Sequence, residues 1–345
     1  MGRYDLSPAE MAVLLANEPS YRVAQVWNGL YRELADPAEL TNLPRPLREH
    51  LGATEELAPS LSLAGAWTAD GGRTEKWLWR LADGAKVESV LMRYPRRSTV
   101  CVSSQAGCAV GCPFCATGQA GLRRNLTVGE IVEQVVRAMT ACRDAPAPAH
   151  RPARSPRPLS NVVFMGMGEP LANYDQVWAA VERICGDLGL SARHVTISTV
   201  GLVPGIRRLS AERLPVGLAV SLHAANDRLR DRLVPLNRRW PLASLLDACH
   251  DYRAATRRRL SFEWALIEGV NDSERDAVEL ASLARPLGAH VNLIPLNTTR
   301  GYGGKGPSSE KVTRFAGSLE EAGLAVTVRD TRGSDIDAAC GQLAG

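Results

Sequence analysis

The stretch Ser104-Gln-Ala-Gly-Cys-Ala-Val-Gly-Cys-Pro-Phe-Cys-Ala-Thr-Gly118 sets Cys108, Cys112 and Cys115 in a CxxxCxxC run. Three soft thiolates this close together suit a 4Fe-4S cluster, and three ligands to four irons leave one iron open to a small molecule. Zinc is the competing occupant. A structural zinc site takes a fourth protein ligand at motif spacing, and none of Cys142, His150, Cys185 or His194 lies at a usual offset from Cys115. A disulfide framework fits poorly, because 345 residues bury a large core without staples and no secretory h-region precedes a small-residue cleavage site. A second pair, Cys101 and Cys340, brackets the rest of the chain.

Outward from this run, strand-like and helix-like segments alternate. Strands are predicted over 99–103, 161–165, 194–198, 217–222, 260–267, 289–294 and 325–329, and helices over 127–142, 174–187, 241–257, 273–284 and 308–321. Thr127 and Glu130 form a capping box ahead of apolar Ile131, Val132, Val135, Val136 and Met139, so the cysteine run precedes a helix start. Six or seven strands with helices between them make an α/β fold built on a parallel β/α barrel or open barrel, over residues 96–345. A doubly wound sheet shares this pattern, because strand order is not written in the sequence. Barrel sites lie at the C-terminal ends of strands. The cysteine run, Gly166-Met-Gly-Glu-Pro170, Ser198-Thr-Val-Gly201, Ser221-Leu-His223 and Pro295-Leu-Asn297 all fall there and are expected to form one rim. Residues 144–158, rich in Ala, Pro and Arg with His150, read as an exposed flexible insertion.

Two smaller regions precede the barrel. Residues 1–56 carry Leu6, Met11, Leu14, Leu15, Val23, Val26, Trp27, Leu30, Tyr31 and Leu34 at helical intervals broken by Pro19 and Pro37, a small helical domain. Residues 57–95 alternate in short segments around Asp70-Gly71 and Asp83-Gly84, a short antiparallel sheet. The net charge is +4, and lysine occurs only at Lys76, Lys86, Lys305 and Lys311. A mild arginine-weighted excess permits an RNA partner without proving one. With no apolar run of membrane-spanning length, a cytoplasmic protein without membrane contact is expected, and reduced cytosol suits free thiolates. Cys142, Cys185 and Cys249 sit in helical patterns and read as core or surface thiols.

Taken together, these residues resemble the radical S-adenosylmethionine (SAM) enzymes that methylate adenine in 23S ribosomal RNA. The resemblance rests on Cys101-Val-Ser-Ser-Gln105, the three clustered cysteines, Arg124-Asn-Leu126, Gly166-Met-Gly-Glu-Pro170, Ser221-Leu-His223, Asp330-Thr-Arg-Gly333 and Ala339-Cys-Gly-Gln-Leu343. CxxxCxxC alone marks only the wider superfamily; Cys101 and Cys340 make the match specific. It implies a partial (β/α)6 barrel with a helical RNA-binding accessory domain. Gly168-Glu169-Pro170 and Asp330-Thr-Arg-Gly333 look like the group that modifies adenine C2, while enzymes modifying C8 and conferring antibiotic resistance usually have Ala where Pro170 stands. Some C2 members also methylate an anticodon-loop adenine in transfer RNA, and that substrate stays open.

The resemblance also implies roles. Cys108, Cys112 and Cys115 hold the cluster. Gly168 and Glu169 receive the SAM amino group, and Ser198, Ser221, His223 and Asn297 line its ribose and carboxylate. Cys340 takes a methyl from one SAM, a second SAM supplies the radical that activates it, and Cys101 resolves the protein–RNA adduct through a transient disulfide. Glu88 matches the position proposed as base for the C2 proton. A monomer served by a reducing protein such as a flavodoxin is expected. Arg22, Arg32, Arg45, Arg48, Arg123, Arg124 and Arg329 are candidate RNA contacts, and residues 301–309, glycine-rich with Lys305, a candidate substrate-side loop. A peptide-tailoring radical enzyme would not need Cys101, Cys340 and the helical domain together, and a noncatalytic cluster protein would not need Gly168, Glu169, Ser221 and Asn297.

Overall fold

Apolar residues at helical spacing fold the N-terminal region into α1 (Pro8–Leu14), α2 (Tyr21–Asn28) and α3 (Arg45–Ala53) in a computed structural model that describes residues 2–144, 158–329 and 333–345. The predicted 144–158 insertion and Asp330, Thr331 and Arg332 of the C-terminal motif lie almost wholly outside the described residues. Ser7 starts α1 with a capping box, its Oγ accepting from the Glu10 N–H while the Glu10 carboxylate accepts from the Ser7 N–H. Met11, Val26, Leu30, Tyr31, Leu47 and Leu51 bury their side chains in a core continuous with the barrel.

The chain then enters β1 (Ser62–Ala69), β2 (Thr74–Arg80) and β3 (Lys86–Arg93), paired antiparallel. Asp70–Gly72 turns the chain from β1 to β2 and the Asp83-Gly84 pair from β2 to β3, with Gly71 and Gly84 at positive φ, the conformation glycine adopts without strain. These strands are not a separate sheet. β3 pairs antiparallel with β4 (Ser98–Cys101), the first barrel strand, so both belong to one ten-stranded sheet.

From β4 onward every neighbour in that sheet is parallel. A hairpin of β5 (Gln105–Gly107) and β6 (Leu122–Asn125), with the short α4 (Ala116–Ala120) between, leads to α5 (Val128–Arg143). The order continues β7 (Asn161–Phe164), α6 (Tyr174–Gly186), β8 (Val195–Thr199), α7 (Val203–Ser210), β9 (Gly217–Ser221), α8 (Asp227–Leu233), α9 (Leu242–Thr256), β10 (Leu260–Leu266), α10 (Glu274–Leu287), β11 (His290–Pro295), α11 (Ser309–Glu321) and β12 (Val326–Val328). Among the described residues, six β/α units and a closing strand therefore make a partial barrel in the order β4-β7-β8-β9-β10-β11-β12. Among the described residues β12 pairs only with β11, so the barrel is open between β12 and β4. Sequential parallel order excludes the doubly wound alternative, whose strand order reverses.

Strands such as β7 and β8 alternate buried with part-exposed residues, whereas all seven residues of β10 are buried. Thr127 and Glu130 cap α5 reciprocally, as their spacing predicts. The sequence reading missed α7 and marked α8 only by a helix start at Asn226-Asp227. Pro204 and Gly205 make the start of α7 look like a loop, yet a Cβ at Gly205 would lie 2.7 Å from the Leu171 side chain, so glycine there permits close packing. The N-terminal helices dock on the barrel through Asp5, whose carboxylate accepts from the Gly129 N–H at 2.7 Å in the first turn of α5, and Arg183 of α6, which donates to the Tyr31 hydroxyl at 2.7 Å. Among the described residues no helix is long and apolar enough to cross a membrane.

Candidate active site

The cysteine run occupies the loop between β5 and α4. Gly107 is at φ 80°, and a Cβ there would fall 1.9 Å from the Gly121 carbonyl, so only glycine lets the two sides of the hairpin meet. The loop closes on itself, the Cys108 N–H donating to the Gly121 carbonyl at 3.0 Å and the Cys115 N–H to that of Cys112 at 3.1 Å. Cys108, Cys112 and Cys115 line one cavity of about 1090 Å³ including its open mouth, large enough for a nucleoside-sized ligand. Among the described residues no three His, Cys, Asp or Glu side chains close around a single-ion position. Three free thiols on one wall fit a multi-iron cluster, whose thiolates bind different irons, better than a lone zinc, whose ligands share one point. Burial pushes the Cys108 thiol up to about 11 and the Cys112 thiol higher still; a bound cluster would take both as thiolates.

The facing wall is the rim of strand ends. Gly168, after β7, has φ 99°, and a Cβ there would sit 2.5 Å from the Gln105 Cβ. The Glu169 N–H donates to Gln105 Oε1 at 2.8 Å, and the Glu169 carboxylate accepts from the Leu171 and Val200 N–H groups at 3.0 and 2.9 Å. Burial pushes this carboxyl up to about 7. A cation in the cavity would return it to the ionised form, and each oxygen keeps a lone pair for one. Ser198 and Ser221 line the same wall.

His223, just past β9, adopts left-handed φ 60°, rare outside glycine and tolerated where surroundings over-determine it. Its Nδ1 accepts from the Ala265 N–H at 3.0 Å, so the proton of the neutral ring sits on Nε2. Asn271 donates to the carbonyls of His223 and Ala265 at 2.8 and 2.7 Å, and Phe114 of the cluster loop packs edge-on at 5.0 Å. Burial, then the nearby Arg230 charge, depresses the imidazole to about 3.

Arg230 itself was not singled out in the sequence. Lying in the Arg-rich stretch of α8, it reads as a solvated residue, yet it is 1% exposed. Its guanidinium donates to the carbonyls of Leu222 at 3.0 Å, Ser221 at 3.2 Å and Val200, and to Asn237 Oδ1 at 2.8 Å, clamping the ends of β8 and β9 together. The available signal was the helix start at Asn226-Asp227, which the structure bears out: Asn226 caps α8 through the Leu229 N–H.

The third side is the C-terminal segment. Cys340 lines the cavity with Gly341 and Leu343. Asn297, expected beside SAM, also lines it but donates to the Cys340 carbonyl at 3.1 Å; Ala116 donates to the Gly341 carbonyl at 2.8 Å and Thr117 to that of Leu343. Cys101, the last residue of β4, is buried beside the cavity rather than among its lining residues. Burial, then the charge of Cys340, pushes its thiol up to about 12, so the two cysteines lie close enough to sense each other. All eight cysteines are free. Arg329 points into the barrel, Nη1 3.7 Å from Met165 Sδ and 3.9 Å from Glu263 Oε2, and the neighbouring Cys340 is first among the causes that raise its pKa. Glu88 is outside the cavity lining: its Oε1 pairs with Lys76 Nζ at 3.2 Å and its Oε2 accepts from the Ala344 N–H at 3.1 Å.

Most of the arginines suggested for RNA are engaged within the chain. Arg32 donates to the Gly186 carbonyl, Arg45 pairs with Glu49, and Arg124 pairs with Asp83 and Glu130, while Arg123 is exposed beside them on β6. The 301–309 loop meets the cluster loop, with Tyr302 6.4 Å from Phe114, and Lys305 pairs with Glu268.

No protein-family model matches the chain. It is 55% identical, over 94% of its length and 86% of the other's, to a protein of Parafrankia sp. named probable dual-specificity RNA methyltransferase RlmN. A protein of the same name from Roseiflexus castenholzii is 50% identical over 99% of this chain and 95% of its own. The crystal structure of a radical SAM methyltransferase from Sphaerobacter thermophilus superposes with a TM-score of 0.92 at 49% identity, covering 99% of both chains. Likeness of this depth runs through the helical domain, the cluster loop and the C-terminal segment alike, and the chain belongs to the RlmN family of radical SAM RNA methyltransferases.

Proposed function

We propose that this chain methylates C2 of an adenine in 23S ribosomal RNA, carrying the methyl group on Cys340, and that it also accepts an anticodon-loop adenine of transfer RNA. The carrying observation is that Cys340 lines the same cavity as the three cluster cysteines, with Cys101 beside it. The name of the relatives, dual-specificity RNA methyltransferase, supports more than one RNA specificity, and Gly168-Glu169-Pro170 supports C2 over the C8 alternative.

Adenine C2 is not nucleophilic, so a methyl group cannot be delivered there by simple displacement from a sulfonium. A 4Fe-4S cluster held by Cys108, Cys112 and Cys115 supplies the one-electron reduction that makes a radical route from SAM possible, with the electron delivered by a reducing protein such as a flavodoxin. The chain does the rest. Gly168 leaves space where any side chain would intrude, and the buried Glu169 carboxylate receives the SAM ammonium. Ser198, Ser221 and the neutral His223, donor at Nε2, face the ribose and carboxylate, and Asn297 joins this wall to the carrier segment.

Cys340 as thiolate first takes a methyl from SAM by displacement and holds it as a thioether. A second SAM, cleaved by one electron, would supply the 5′-deoxyadenosyl radical that takes a hydrogen atom from that methyl; the carbon radical so formed adds to adenine C2, the adduct gives up one electron, for which the bound cluster would be the acceptor, and Glu88 takes the C2 proton. The Cys101 thiolate then attacks Cys340 Sγ. The Sγ–carbon bond breaks with its electron pair going to the RNA carbon, which gains a proton to become methyl, and a Cys101–Cys340 disulfide remains for reduction.

The test is anaerobic incubation of cluster-reconstituted protein with dithionite, SAM and unmodified 23S fragment or transfer RNA, followed by mass spectrometry of nucleosides. The expected product is 2-methyladenosine on both RNAs. A product of 8-methyladenosine would overturn the C2 assignment, and no methylated adenine with an intact cluster would overturn the substrate class.

A further inference from the structure

We infer that the buried Lys76–Glu88 pair is a clasp that seats the Cys340 segment against the cavity, with Lys76 a positioning residue and Glu88 holding that contact besides its proposed role as base. This rests on the reading of Cys340 as the methyl carrier. Register pairs Leu78 of β2 with Glu88 of β3, which makes Lys76 and Glu88 diagonal neighbours on one face of the antiparallel sheet. Their side chains are 9% and 8% exposed, with Nζ and Oε1 3.2 Å apart, and the Trp67 ring of β1 covers the ammonium at 5.0 Å.

Each partner makes one further hydrogen bond, and both go to the C-terminal segment. Lys76 Nζ donates to the Asp337 carbonyl at 3.3 Å, and Glu88 Oε2 accepts from the Ala344 N–H at 3.1 Å. One contact precedes Cys340 and the other follows it. Between them the chain has no regular structure and passes through left-handed Asp337 (φ 52°) and Gly341 (φ 86°). The other anchors, from Ala116, Thr117 and Asn297, come from the start of α4 and the loop after β11, across the segment. Cys340 is thus strung between the barrel and the antiparallel sheet.

Energetics favour a positional role over a purely stabilising one. A buried ion pair gives little net stability compared with a well-packed apolar pair, because desolvation offsets the attraction. An apolar pair, however, would offer the segment neither a donor for Asp337 nor an acceptor for Ala344. The clasp also ties up the Glu88 carboxylate beside the segment whose chemistry it would serve as base, so carrier and base are set by one contact.

The test uses the full chain without SAM or RNA. Alkylation of Cys340 by iodoacetamide and amide hydrogen exchange of the 337–345 peptide are followed by mass spectrometry in Lys76→Met, Lys76→Arg and Glu88→Gln. Losing a hydrogen bond to a charged group should speed both rates by about tenfold in Lys76→Met, with exchange of the β7, β8 and β9 peptides unchanged and Lys76→Arg near the wild-type rates. Should Lys76→Met fail to fold, Glu88→Gln, which keeps its shape, should still give roughly a threefold rise through the weakened charge-assisted bonds. Rates within twofold of wild type in folded Lys76→Met and Glu88→Gln would overturn the clasp. Neither readout requires methyl transfer, whereas the carrier reading fails on its own terms if RNA methylation survives Cys340→Ala.

Discussion

The rim of strand ends and the C-terminal segment face each other across one cavity, yet they are built differently. On the rim, Gly168, Glu169, His223 and Arg230 are each fixed by steric limits or by bonds to backbone, at or against the ends of the parallel strands. The C-terminal segment has no strand or helix to hold Cys340 and depends on a handful of hydrogen bonds from distant side chains. The difference teaches where preorganisation is needed. Groups that orient a bound cofactor act through fixed geometry, while a carrier must meet a sulfonium methyl, an RNA base and a second cysteine in turn.

The contrast can be broken most sharply at Cys340. Replacing it with alanine should reduce RNA methylation at least about a thousandfold, about 4 kcal/mol on the barrier, with little change in melting temperature; near-normal turnover by nucleoside mass spectrometry would remove the carrier from the comparison. Arg230→Met should do the opposite, lowering stability by about 3–5 kcal/mol in urea titration because buried carbonyls lose their shared donor. A loss below 1 kcal/mol would mean that the rim is not held by this clamp.

Gly168→Ala should cost about 2–4 kcal/mol, from left-handed backbone strain and overpacking against Gln105, and weaken SAM binding in calorimetry. His223 offers a pH test. Its folded pKa, about 3, lies below the unfolded value near 6.5, so its contribution is present above 6.5 and is lost as pH falls through that window. Glu169, raised to about 7, works in the opposite sense, its contribution present at low pH and lost as pH rises from about 4.5 to 7. Comparison with a variant isolates one from the other: between pH 7 and 5 wild type should lose about 2 kcal/mol more than His223→Gln, at about 1.4 kcal/mol per pKa unit. Equal losses would place a charged or exposed imidazole at that rim position. The smallest effect belongs to the segment. Gln342→Ala, which removes bonds to Ala339 and Thr298 at its exposed edge, should cost less than about 1 kcal/mol of global stability; a larger loss in urea would show that the segment is part of the cooperative core.

Legibility divides along the same line. Strand and helix limits in the barrel lie within a few residues of those read from periodicity, and Thr127 with Glu130 marked the α5 start, because alternation, helical spacing and capping are local. All three cluster cysteines, Gly168, Glu169, Ser198, Ser221, His223 and Asn297 reach one cavity, as motif position at strand ends suggested, and Cys340, named only through the resemblance, joins them there. Arg230, Gln105 and Asn271 were passed over because their partners lie on other strands. Arg329 was read only as a candidate RNA contact, because a lone arginine at the end of a short strand shows no sign of the barrel gap beside it.

By itself the sequence determined the cluster loop, the alternation of strands and helices and the inventory of reactive groups, since each depends on residues a few positions apart. Only the tertiary structure decided that the early antiparallel strands extend the barrel sheet, that Asn297 binds the Cys340 backbone, and that Glu88 faces Lys76 and Ala344 rather than the cavity. Those arrangements join residues far apart in the chain, and strand order and register, which bring them together, are set by the packing of the whole sheet rather than by any one segment.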